Sequence, residues 1–270
     1  MKLCRFQLLE FNAAAANRSG EAMQPEPRIG RIEGETVHEL SGSLLGETKA
    51  SGRSWKLTEV ALLPPSVPTK IVCVGRNYIE HAAEFNNDVP KEPLIFLKPP
   101  SAIIAPGEPI VLPAISNRVD YEGELCVVIA RRCRQLSDAD DVRPYIAGYT
   151  CLNDVSARDL QFSDPQWTRA KGFDTFCPFG PVLETELDLG RTTVETFLNG
   201  VKKQSASTTE MIFSVDAIIR WVSRVMTFEP GDIIATGTPS GVGPLAAGDV
   251  VEVVVSGVGT LRNPVQAANS

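Results

Sequence analysis

Three acids recur at every second position in one short stretch, Asp120, Glu122 and Glu124, just ahead of the apolar run 126–130. Side chains alternate faces along a strand, so the three carboxylates are expected to project together, and no Lys or Arg stands among them before Arg131. Because residues 126–130 read as a buried strand, the acids should stand where that strand leaves the core. Such a setting suits a hard divalent cation held by oxygen ligands. A solvated strand edge whose charges discourage aggregation would give the same local pattern. Chelation needs a further acid from a separate strand, and Asp154, at the far end of the apolar strand expected over 145–152, is the best placed. Taken alone, Asp154 fits a turn cap equally well.

A second constellation pairs His81 with Glu84. On a helix that spacing brings imidazole and carboxylate to one face, where the acid fixes the tautomer and raises the basicity of a general base. An ordinary exposed His–Glu pair has the same spacing. His38, the other histidine, has no such neighbour. Lys171 lies beside hydrophobic neighbours in residues 169–174, suited either to stabilising an oxyanion or to solvating a loop. The turn 236–243 lacks the Gly-Lys-Ser/Thr ending of a phosphate-binding loop, yet its backbone donors and hydroxyls could hold a carboxylate.

Positioning these residues takes a scaffold of strands. Residues 1–65 read as a small β-rich module, with strand alternation over 28–40 around Glu33-Gly34 and a loop-like stretch over 13–27. The proline-rich segment 63–68 sets the boundary to a larger domain, 66–270. Strands are expected over 71–74, 94–98, 110–112, 145–152, 233–235, 250–255 and 259–262. Asn199-Gly200 joins 193–198 to the chain from Val201 as a hairpin. Asn77 is expected to cap a helix running through His81 to Glu84 and stopped by 86–90, and Ser137 a short helix over 138–142. Residues 156–174 read as an ordered loop anchored by Trp167 and Phe173. Behind Ser214, the spacing of Val215, Ile218, Ile219, Val222, Val225 and Met226 predicts an amphipathic core helix. Strands outnumber helices, which predicts a β-rich α+β fold.

At 270 residues and 43% hydrophobic content the chain can bury a sizeable core. A net charge of −7 argues against a nucleic-acid surface. No stretch approaches the ~20 apolar residues of a membrane span, and acidic Glu10 precedes any signal-like apolar run, so a cytoplasmic protein acting on small molecules is expected. Six scattered cysteines without CxxC spacing predict neither disulfides nor zinc.

Five motifs in order, residues 75–78 with His81, 120–124, 153–159, 171–174 and 236–243, resemble the fumarylacetoacetate hydrolase family from about residue 68 to the end. The short N-terminal module is similar to one that precedes this domain in many bacterial members. The resemblance implies a mixed β-sandwich roll, assembled as a homodimer, binding Mg²⁺ (or Mn²⁺ or Ca²⁺) through Glu122, Glu124 and Asp154, with Asp120 left at the rim. It further implies a His81–Glu84 dyad on a segment that closes over substrate, Lys171 near the developing charge, and substrate contacts from Arg158, Gln161 and Thr238. The implied activity is metal-dependent C–C bond hydrolysis or decarboxylation of acylpyruvate-type 2-oxo acids such as fumarylpyruvate or oxaloacetate. The alternative is isomerisation or tautomerisation in aromatic degradation, on substrates such as 2-hydroxyhepta-2,4-diene-1,7-dioate, 5-carboxymethyl-2-hydroxymuconate or oxaloacetate. A non-catalytic protein whose acids only staple strands around a metal is the third reading.

Overall fold

The computed structural model describes residues 1–9, 26–84 and 88–268, so most of the loop expected over 13–27, and positions 86–87 of the expected helix stop, lie outside the described residues. Every residue of the strand Gly123–Ile129 is buried, and its two faces enter different cores. Leu125, Val127 and Ile129 pack in one cluster with Val194, Val253 and the helix residues Ile218, Ile219 and Val222. Cys126 and Val128 pack in another with Cys73, Leu152, Phe179 and Ala235. Burial on both faces is what an unbroken apolar run requires.

This strand pairs antiparallel with Ile146–Asn153 on one side and with Ile233–Ala235 on the other. Ile233–Ala235 runs parallel to Ile71–Gly75, which pairs with Leu94–Lys98 at the end of the sheet. In the other direction Cys177–Glu184 links Ile146–Asn153 to Lys2–Leu8. From there Arg28–Glu33, Thr36–Gly42 and Thr48–Lys56 extend the same twelve-stranded sheet. The N-terminal ammonium group is bonded to Glu184 at 2.5 Å.

A five-stranded sheet built on Thr193–Leu198 and Val250–Val255 covers the opposite face of Gly123–Ile129. Its hairpin turns at Asn199 and Gly200, whose φ values of 52° and 77° are those of the expected two-residue turn. A small three-stranded sheet joins Val119–Tyr121, Ser156–Ala157 and Gly243–Pro244. With 46% strand and 15% helix, the fold is the β-rich α+β class expected.

Four α-helices occur among the described residues: α1 (Ile79–Glu84), α2 (Arg158–Ser163), α3 (Thr168–Lys171) and α4 (Val215–Val225). Ser214 caps α4 as expected, its hydroxyl accepting from the Ala217 amide. Three local expectations change. No helix forms over 138–142; the segment is a turn in which the Asp140 carboxylate accepts from the Ser137 amide and hydroxyl. Asn77 does not cap α1: its side-chain amide donates to the carbonyls of Phe213 and Thr236 and accepts from the Phe213 amide. The irregular stretch 156–174 contains α2 and α3.

Gly123 explains why glycine separates the two acids of residues 122–124. A Cβ there would lie 2.1 Å from the Thr196 hydroxyl oxygen and 3.3 Å from the Val253 methyl groups. The side of the strand opposite the acids is therefore closed by the second sheet. Gly123→Ala is expected to lower stability by about 1–3 kcal/mol through overpacking, read from urea unfolding. An unchanged midpoint would contradict this packing.

Candidate active site

Pairing of Gly123 with Asn153 sets the geometry, because the next step along each strand puts Asp154 beside Glu122, with the Asp154 amide donating to the Glu122 carbonyl at 2.8 Å. Glu124 lies two residues further along the same face. One oxygen from each of Glu122, Glu124 and Asp154 lies within 4.8 Å of the others, and all three residues are buried. The Asn153 side chain accepts from the Glu122 amide at 2.9 Å, in the gap where Val119–Tyr121 gives way to Gly123–Ile129.

Asp120 does not stand at the rim. It is fully buried, one oxygen 2.9 Å from Arg118 Nε and the other 2.9 Å from Arg158 Nε. Two guanidinium groups thus take the first acid of the stretch, and it stays outside the three-carboxylate cluster.

Buried cations surround that cluster. Lys171, at the end of α3, bridges Glu122 at 2.8 Å and Asp154 at 2.6 Å, and its ammonium lies 5.0 Å from the Phe96 ring centre. Arg158 reaches Glu122 at 2.5 Å and donates to Gln161. Lys98, fully buried at the end of Leu94–Lys98, holds the second oxygen of Asp154 at 2.6 Å and the Val155 carbonyl at 3.1 Å. Lys98 was legible in the sequence only as a strand residue. Its signal was a lone Lys closing the apolar run 94–97, with Pro99 and Pro100 beyond.

The cations divide the acids electrostatically. Burial alone would push Glu122 up, yet Lys171 and then Arg158 overcome it and hold its pKa well below the usual carboxylate range. Among the described residues Glu124 accepts only the Gly237 amide, at 2.7 Å, and burial together with Asp154 and Glu122 pushes its pKa well above that range. Burial works against the Lys171 charge too, but Asp154 and Glu122 outweigh it and raise its pKa.

The acids line a cavity of ≈ 160 Å³ with His81, Thr238 and Arg158. His81 Nδ1 lies 3.2 Å from Glu84, whose other oxygen accepts from the Gly241 amide, so α1 rests on the glycine-rich turn. Burial lowers the His81 pKa, opposed by the charges of Glu122 and Glu84. The Thr238 hydroxyl donates to the Gly123 carbonyl at 2.9 Å and accepts from Gln204 at 2.8 Å, which ties that turn to the acidic strand. Gly237, at φ 104°, passes so close that a Cβ would meet Asn77 at 2.7 Å.

Removing Lys98 would leave a buried carboxylate oxygen uncompensated. Lys98→Met is expected to cost about 3–5 kcal/mol of unfolding free energy, measured by denaturant titration. A loss under about 1 kcal/mol would show that the pair carries no such weight.

The geometry can be set beside known proteins. The family described as "Fumarylacetoacetate (FAA) hydrolase C-terminal" matches residues 70–266, and "Rv2993c-like, N-terminal" matches residues 22–65. Protein Rv2993c of Mycobacterium tuberculosis is 50% identical over 233 residues, 85% of this chain and 88% of that protein. The human mitochondrial oxaloacetate tautomerase FAHD2A is 43% identical over 77% of this chain and 70% of its own length. The crystal structure of 2-hydroxyhepta-2,4-diene-1,7-dioate isomerase from Mycobacterium marinum superposes with a TM-score of 0.86 at 44% identity, covering 100% of both chains. Members of the matching family are divalent-metal-dependent enzymes. The chain belongs to the fumarylacetoacetate hydrolase family, with an Rv2993c-like module at its N-terminus.

Proposed function

We propose that this chain is a cytoplasmic, homodimeric, Mg²⁺-dependent enzyme that enolises 2-oxo acids. The observation that carries this reading is the buried triad of Glu122, Glu124 and Asp154 facing the same small cavity as His81. The donor set fits a hard cation: all three ligands are oxygens, and among the described residues Glu124 has only an amide partner, in a place that burial makes hostile to its charge. Mg²⁺, Mn²⁺ or Ca²⁺ held there would act as a Lewis acid on a 2-oxo acid and share the charge of its enolate.

The remaining steps fall to the chain's own residues. His81, kept neutral by burial, takes a proton from the carbon next to the 2-oxo group, and Glu84 orients the ring through Nδ1. Lys171 keeps its positive charge beside the acids and offsets the negative charge that develops. Returning the proton to another carbon gives isomerisation, and placing it on the enolate oxygen gives the enol tautomer, the activities named for two of the relatives above. A second reading, C–C hydrolysis of an acylpyruvate, is favoured by the His81–Glu84 pair itself, which has the make-up of a water-activating dyad. The free cysteines, all six buried, agree with a reducing compartment.

The test is proton NMR in D₂O with Mg²⁺, using oxaloacetate and an acylpyruvate as substrates. We expect exchange at the carbon next to the 2-oxo group well above the buffer rate, slowed roughly 10²- to 10⁴-fold by His81→Ala. Products then separate the outcomes, since cleavage of the acylpyruvate marks hydrolysis and its absence tautomerisation. The base form of His81 is lost as pH falls through its lowered pKa, so the acid limb of kcat/KM should lie below the ordinary histidine value of about 6.5. No exchange above buffer would overturn the reading.

A further inference from the structure

Arg158 and Lys171, among the cations lining the cavity, are bonded to the acids beside them. Arg76 differs: it lines the same cavity, yet no hydrogen bond or ion pair joins it to a carboxylate among the described residues. A half-buried arginine that lines a cavity, with no carboxylate bonded to it among the described residues, can receive an anion.

The backbone holds Arg76 in that position. Its φ of 58° is left-handed, a conformation rare for arginine and one that redirects the chain between Ile71–Gly75 and α1. Both neighbours are fixed. Asn77 is locked to Phe213 and Thr236, and Gly75 gives way to Trp167, whose ring would lie 3.0 Å from a Cβ there. Trp167 in turn packs edge-on against Phe96, ring centres 5.2 Å apart.

Location gives the anion its identity. Arg76, Phe96 and Trp167 line both the cavity that holds the acids and an outer groove of about 980 Å³, whereas Glu122, Glu124 and Asp154 line only the former. Arg76 therefore stands where the cavity opens outward. We propose that Arg76 is a specificity-determining residue that pairs with a second, distal carboxylate of the substrate, so that the site selects 2-oxo diacids over 2-oxo monoacids of the same length. This rests on the preceding reading, in which the 2-oxo carboxylate end is held at the acids.

The experiment is calorimetric binding to the Mg²⁺-loaded full chain. The ligands are oxalate, which reaches only the inner end, and two matched pairs: 2-oxopentanedioate with 2-oxopentanoate, and 2-oxoheptanedioate with 2-oxoheptanoate. Wild type should bind at least one diacid roughly ten- to hundredfold more tightly than its monoacid, the worth of one charge-assisted bond. Arg76→Asn, whose new side chain tolerates a left-handed backbone, should abolish that preference, and Arg76→Lys should keep part of it. Oxalate binding by each variant separates lost recognition from lost folding, and Arg76→Gly stands in if Arg76→Asn fails that check. Wild type that binds oxalate but shows no diacid preference overturns the role of Arg76 alone, as does a preference that survives in the variants. Wild type that binds no oxalate overturns the underlying reading and this one with it.

Discussion

Carboxylates packed within 4.8 Å of one another in a buried pocket repel strongly, and the rest of the site answers that constraint. Two unit charges 4 Å apart interact by about 4 kcal/mol at an effective dielectric of 20, comparable to a large fraction of a domain's stability. Lys98, Lys171 and Arg158 relieve the repulsion at Asp154 and Glu122. None of them is bonded to Glu124, which among the described residues keeps only a backbone amide and has a pKa pushed up by burial and by its acidic neighbours. The uneven neutralisation leaves Glu124 as the acid of the three with the most to gain from a divalent cation, in keeping with a family whose members are divalent-metal dependent.

The scaffold is arranged to keep that cluster in register. Asp154 meets Glu122 only because Gly123 pairs with Asn153, and Gly123 can take that place only without a side chain against Thr196. The Asn153 side chain bonds the Glu122 amide at the strand break, and the Gly237 amide reaches Glu124 because Asn77 holds the turn at Thr236. The N-terminal strands contribute more remotely. Lys2–Leu8 pairs with Cys177–Glu184, itself the partner of the strand that ends at Asn153.

Much of the site was legible because it obeys local periods. Alternation placed Glu122 and Glu124 on one face, the end of an apolar strand marked Asp154, and helical spacing joined His81 to Glu84. The cationic half was harder to see. Lys171 is indistinguishable by spacing from a solvated loop lysine, and its burial depends on packing against Phe96 and the acidic strand. Lys98 acts on a residue 56 positions away, a relation no local pattern encodes. Asp120 matched the period of the other acids but was claimed by Arg118 and Arg158. The short helices α2 and α3 escaped notice because segments of six and four residues are too brief to show an apolar stripe. Where a helix was expected over 138–142, a turn stands instead, with the Asp140 carboxylate bonded to the Ser137 amide.

The most direct test of this account is where a divalent cation settles. A crystal of the protein soaked in Mn²⁺ and measured at the manganese absorption edge should show one anomalous peak per chain, bounded by oxygens of Glu122, Glu124 and Asp154. Absence of a peak there, or a peak elsewhere with these three residues unliganded, would contradict the claim that the buried acids form the metal site.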